Sequence, residues 1–124
     1  VTMLPDHYLA LARETLASPQ AGEAHWRAAT RFAYDAVFLT VAAAVDLDPT
    51  TFAGNTRAVR EALTAADTAS APAFIRLARR HWNTLWLASL RAERGLEDPV
   101  SHAEAKLSVA LAERVLAART AGLQ

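Results

Sequence analysis

Histidine and arginine are the residues of this chain with chemistry to offer. Four histidines are present, His7, His25, His81 and His102. Helical bundles can hold metals between facing side chains. One helix presents two ligands to one ion only when they stand three or four residues apart, and no two of these histidines do. No Glu-x-x-His pair occurs either, although Asp6 and Glu23 lie close in sequence to His7 and His25. A helical metal-binding bundle is therefore the weakest of three functional readings, and no metal or cofactor is expected. The arginines are better placed. Arg76, Arg79, Arg80, Arg91 and Arg94 fall between Pro72 and Arg94 with a single acidic residue, Glu93. On a helix of ~100° per residue, Arg76, Arg80, Arg91 and Arg94 lie within roughly 60° of one another, with Arg79 roughly 60° to one side. Trp86, Leu87 and Leu90 stand among them. Such a basic and partly apolar ridge suits phosphate groups, a partner helix or a second subunit. Arginines that merely cover a surface are the plain alternative. An exposed Trp86 beside the ridge could stack on a base.

The elements that carry these residues read as helices throughout, with no alternating β-branched run. The first is expected from Pro5 to Ala17, with proline suited to a first turn. The second runs from Glu23 to Val45, and the third from Thr56 to Ala66 behind an Asn55 cap. The fourth starts near Pro72 with Ser70 as its cap and ends at Gly95. Ser101 and Glu104 form a capping box for the fifth, which continues to Thr120 before Gly122. A polar loop is expected over Asp67 to Ala71. Tyr34, Phe38, Val41 and Val45 line one side of the second helix; Phe32, Ala36, Leu39 and Ala43 line the other. A narrow polar stripe runs through Arg31, Asp35, Ala42 and Asp46, where Asp35 is expected to pair with Arg31 one turn earlier. A helix so apolar is surrounded by protein, from its own chain or from a second copy. In the fourth helix, Phe74, Ala78, Trp82, Leu85 and Ser89 should face the core.

Bulk properties bound these readings. A chain of 124 residues makes one domain, residues 1–124, with one core. Thirteen basic and thirteen acidic residues leave no net charge, so only local charge can attract nucleic acid. Cysteine is absent, which excludes disulfides and thiol catalysis. Thirty alanines favour helix, and twelve of the thirteen basic residues are arginine, a bias that lowers the weight of any one of them. The longest apolar run, Ala36 to Val45, is about half a membrane span. Asp6, His7 and Arg13 interrupt the amino end, which does not read as a signal peptide, and a cytoplasmic location is expected.

Within the second helix, Arg27-Ala-Ala-Thr-Arg31-Phe-Ala-Tyr34-Asp35-Ala-Val-Phe38 resembles the signature of the HEPN family, in which an arginine precedes Ala-Tyr-Tyr-Ala and a phenylalanine. Tyr34 matches the first tyrosine and Asp35 replaces the second. Arg79-Arg80-His81 through Leu90-Arg91, then Glu97-Asp98-Pro99, is similar to the family's fourth helix and following loop, and Ala103 to Ala118 to its closing helix. The resemblance covers most of the chain from Glu23 onward. It implies an antiparallel bundle of four to five helices that forms a homodimer. Catalytic members are metal-independent ribonucleases, often the toxins of toxin–antitoxin pairs. They use an arginine followed four to six residues later by a histidine, with the two subunits' motifs meeting in one cleft. Other members are binding modules, sometimes beside a nucleotidyltransferase partner. Arg76 and His81 have that spacing. In that reading His81 shuttles a proton of a ribose hydroxyl while Arg76 holds the phosphate. Leu77 stands where the family has a polar residue, and Asn83 where it has a tyrosine. About one such pair arises by chance in a chain with this many arginines. The expected function is thus a dimeric, non-catalytic module binding nucleic acid, nucleotide or a partner protein, with Arg79, Arg80, Arg91, Arg94 and Trp86 as the binding residues. The alternative is the ribonuclease toxin.

Overall fold

Alanine-rich stretches with a helical apolar period fold here as five helices: α1 (Pro5–Leu16), α2 (Glu23–Ala44), α3 (Thr56–Ala65), α4 (Ala73–Arg94) and α5 (His102–Ala121). The structure is a computed structural model that describes residues 4–51, 55–65, 70–95 and 97–121. Ala66, most of the loop expected over Asp67 to Ala71, and Gly122 lie outside the described residues. Among those described there is no strand. No described helix is long and apolar enough to cross a membrane.

The helix ends follow from local hydrogen bonding. His7 and His25 occupy the third positions of α1 and α2, and each Nδ1 accepts from a backbone amide at the helix start, Leu4 N at 3.0 Å and Gly22 N at 3.3 Å. This is the backward half of a capping box, with histidine in the place of glutamate. At the other end of α2, Leu47 N donates to Ala42 O at 2.9 Å and Asp46 N to Ala43 O at 3.3 Å. That pair of bonds turns the chain through a left-handed residue, Asp46, at φ 59°. Asn55 caps α3 as expected, its Oδ1 accepting from Ala58 N at 2.9 Å. The expectation for Ser70 needs correcting. The residue before α4 is Pro72, which supplies no side-chain acceptor, and its carbonyl takes Ile75 N and Arg76 N, both at 3.1 Å. Ser101 Oγ does accept from Glu104 N at 3.1 Å, but the carboxylate of Glu104 turns to Arg91 instead of completing the box.

Consecutive long helices run antiparallel. Asp6 pairs with Arg119 and Arg13 with Glu113, which sets α1 against α5 in opposite directions. Trp26 and His102 approach to 5.8 Å, so α2 and α5 begin at the same end. The central helix is α2, which touches each of the other four. Its Val37 and Val41 are fully buried with Leu63 of α3, Leu85 of α4 and Val115 of α5. Each leucine sealed in this way contributes roughly 1.5–3 kcal/mol. Tyr34, Phe38 and Trp82 pack as an aromatic cluster with centroids 5.7 to 6.4 Å apart. The apolar girth of α2 is thus covered largely by its own chain. Phe74 packs at the edge of the core, while Ile75, Ala78, Trp82, Leu85 and Ser89 of α4 lie inside it.

Candidate functional site

The regular α4 helix distributes its arginines into different environments. Arg76 and Arg80 are exposed and have no hydrogen-bond or ion-pair partner among the described residues. Arg94 is likewise exposed and unpartnered. Arg79 is half-buried and donates through Nε (3.1 Å) and Nη2 (2.8 Å) to the carbonyl of Leu63, near the end of α3 where free carbonyls gather. Arg91 pairs with Glu104 across to α5. The expected ridge therefore divides: Arg76, Arg80 and Arg94 face solvent, whereas Arg79 and Arg91 hold neighbouring helices. Leu87, 55% exposed, lies between the two halves of the ridge.

Arg76 and His81 do not converge within one chain. Five residues along a regular helix turn a side chain through about 140° from its starting direction. Arg76 points to solvent, while His81 is half-buried toward α5. Burial lowers the His81 pKa, and the charges of Arg80 and Arg114 lower it further. The imidazole is consequently neutral at pH 7, a state able to accept a proton but not to donate one as an acid. Trp86 also departs from the ridge. It is half-buried, lies roughly 110° around α4 from the ridge centre, and lines a groove against α3. The Arg60 guanidinium sits 5.5 Å above its ring.

Two arginines of α2 hold positions that the helix wheel does not reveal. Arg27 donates to the carbonyls of Arg91 (3.1 Å), Ala92 (3.0 Å), Gly95 (3.2 Å) and Asp98 (2.6 Å), closing the carboxyl end of α4. Its Nε, and Nη2 a further time, donate to Glu23 Oε1 at 3.0 and 2.8 Å. That bond, and a second from Val100 N, lower the Glu23 pKa. The chain passes so close here that a side chain on Gly95 would meet Arg91 Cγ and O at 3.0 Å. Gly95 thus ends α4 by close approach, with an ordinary φ of −83° and no left-handed turn. Arg31 donates to Ser89 Oγ and to Glu93, both at 2.9 Å. The expected Arg31–Asp35 hydrogen bond is therefore not formed. Asp35 is half-buried without a hydrogen-bond partner among the described residues. Burial raises its pKa; the charge of Arg31 opposes the shift and that of Glu93 adds to it.

The histidines are scattered over α1, α2, α4 and α5, and no group of three metal-ligating side chains occurs among the described residues. Compared with protein-family models, curated proteins and solved structures, the chain matches none of them.

Proposed function

We propose that this chain is a dimeric, non-catalytic helical module of HEPN type that binds nucleic acid along α4. The observation that carries this reading is the set of exposed, unpartnered arginines, Arg76, Arg80 and Arg94, on a helix whose other arginines are engaged. A phosphate-binding edge leaves its arginines open, because each must exchange water for phosphate oxygen. Arg76 and Arg80 are one helical turn apart, about 6 Å along the axis, a spacing suited to neighbouring phosphates. Leu77 and Asn83, which stand where catalytic members have a polar residue and a tyrosine, support the non-catalytic form. Dimerisation is supported by Leu87 (55% exposed) and Leu107 (52% exposed), large apolar side chains on α4 and α5.

The test is labelled RNA binding measured over a salt series without added metal, with the RNA then run on a denaturing gel. Binding should weaken steeply with salt, and Arg76→Glu with Arg80→Glu should remove most of it. RNA should remain intact. Cleavage by the wild type that His81→Ala abolishes would replace this reading with the ribonuclease. Absence of salt-sensitive binding would end both, and leave the ridge as a protein contact.

A further inference from the structure

A hollow of about 250 Å³ opens where α2, α3 and α4 meet, lined by Arg31 and Tyr34, by Thr56, and by Trp86, Ser89 and Glu93. Its polar groups are held in place with capacity left over. Arg31 donates through Nη1 alone, to Ser89 Oγ and Glu93 Oε2, so its Nε and Nη2 hydrogens have no acceptor among the described residues. Glu93 accepts at Oε2, which leaves Oε1 open. Ser89, 1% exposed, accepts from Arg31, and the proton of its own hydroxyl has no acceptor among the described residues. Tyr34, 5% exposed, donates to Thr56 Oγ1 at 3.2 Å, and the Thr56 hydroxyl proton is likewise unused. Hydroxyls this enclosed normally satisfy their donors, so the hollow keeps room for a polar guest. The charges around it cancel. Arg31 and the ridge residue Arg94 border it with Glu93, and Asp35 stands within electrostatic reach of Arg31 and Glu93, two cations against two anions. A lone phosphate or carboxylate would meet Glu93 and Asp35, and a lone amine would meet Arg31; a molecule with both charges side by side finds an opposite for each. Trp86 and Leu90 supply apolar wall, and past Thr56 and Trp86 the hollow continues into one of about 690 Å³. Apolar wall with a few convergent polar groups is the make-up of small-molecule sites.

We infer that this junction binds a free α-amino acid with an apolar side chain. The ligand's carboxylate takes the Nε–Nη2 edge of Arg31 and the Thr56 hydroxyl proton, and its ammonium takes Glu93 Oε1. The Arg31–Glu93 pair stays closed through Nη1, so each ligand charge lies against its opposite and no bond of the fold is broken. The side chain runs over Trp86 into the larger hollow. A sugar or polyol would use the hydroxyls and leave the guanidinium edge and the open carboxylate oxygen without a charged partner. The inference is independent of nucleic-acid binding by the ridge, since Arg76 and Arg80 do not line the hollow.

L-Phenylalanine is the probe, followed through the Trp86 indole N–H signal of ¹⁵N-labelled protein. That signal should move and saturate with a Kd below about 1 mM, while Trp26, beside His102 at the start of α2, stays. Three analogues each lack one part: 3-phenylpropanoate the ammonium, phenethylamine the carboxylate, and glycine the side chain. Each should bind at least about tenfold more weakly. Glu93 is exposed and Glu93→Gln keeps its shape, so the variant should fold. It should weaken phenylalanine at least about tenfold, yet bind 3-phenylpropanoate no less tightly than the wild type does, because the repelling charge is gone. A variant that had merely loosened the fold would weaken both. Arg76→Glu with Arg80→Glu should leave phenylalanine affinity within about twofold, which separates failure of the junction from failure of the ridge. No movement of Trp86 up to about 10 mM phenylalanine, equal affinity for phenylalanine and any of the three analogues, or unchanged phenylalanine affinity in Glu93→Gln would each overturn the inference.

Discussion

The carboxyl end of α4 is fastened by arginines, whereas Arg76 and Arg80 in its amino half stand open, although Arg79 between them grips the Leu63 carbonyl of α3. At the carboxyl end, Arg27 reaches over from α2 to hold four carbonyls, Arg31 holds Ser89 and Glu93, and Arg91 holds Glu104 of α5. Three helices are thereby fastened at one point. At the amino end, Arg76 and Arg80 have no such partners among the described residues. A helix wheel places Arg76, Arg80 and Arg91 on one ridge, yet Arg91 belongs to the fastening and the other two do not. The difference lies in what stands opposite. The carboxyl end of a helix presents carbonyls without intrahelical donors, and arginine, with five donors in a rigid fork, satisfies several at once. Among the described residues, no such carbonyl faces Arg76 or Arg80.

The comparison can be broken most directly at Arg27. Its side chain is only 15% exposed, so Arg27→Ala strips donors from carbonyls that water reaches poorly. A loss of about 3 kcal/mol is expected in chemical denaturation. Arg27→Lys should recover less than half of it, because an ammonium cannot span four carbonyls. Full recovery by lysine would reduce Arg27 to a simple charge. Ser101→Ala acts on the same end of the bundle through the first turn of α5, and should lower stability by about 1 kcal/mol; an unchanged denaturation midpoint would detach that cap from the fastening.

Asp35 sharpens the same contrast, since it is the carboxylate left over when Arg31 turns to Glu93. Its folded pKa is raised above the unfolded value, so its protonated form favours the fold and its ionised form opposes it. The contribution is favourable below the unfolded pKa and is lost as pH rises through the folded one. Asp35→Asn should accordingly stabilise the protein at pH 7, with the gain vanishing below about pH 4. A gain that is the same at both pH values would mean that charge is not its cause. The smallest effect is expected at the open end. Arg76→Gln with Arg80→Gln should leave the midpoint within about 0.5 kcal/mol of wild type. A larger loss would show that these arginines are structural after all.

Local patterns were enough for the helices. Pro5, Asn55 and Ser101 mark their starts because a cap depends only on residues a turn away. The apolar period of α2 and α4 selects Tyr34, Val41, Trp82 and Leu85 for the core because helical geometry fixes which residues share a face. Gly95 was legible as a stop, although its reason, a close pass by Arg91, was not. What the sequence could not decide is which charges meet. Arg31 stands one turn from Asp35 in sequence but bonds to Ser89 and Glu93, some sixty residues away, because α4 packs against that face of α2. Arg27 reads as the head of the α2 signature and Arg60 as one more arginine in an arginine-rich chain, neither with an evident partner. Only the packing of α2 against the end of α4, and of α3 beside Trp86, makes one a fastening and places the other over a ligand-sized groove. Side-chain partners across a bundle depend on helix crossing and register, which are set by the whole core at once and leave no local mark in the chain.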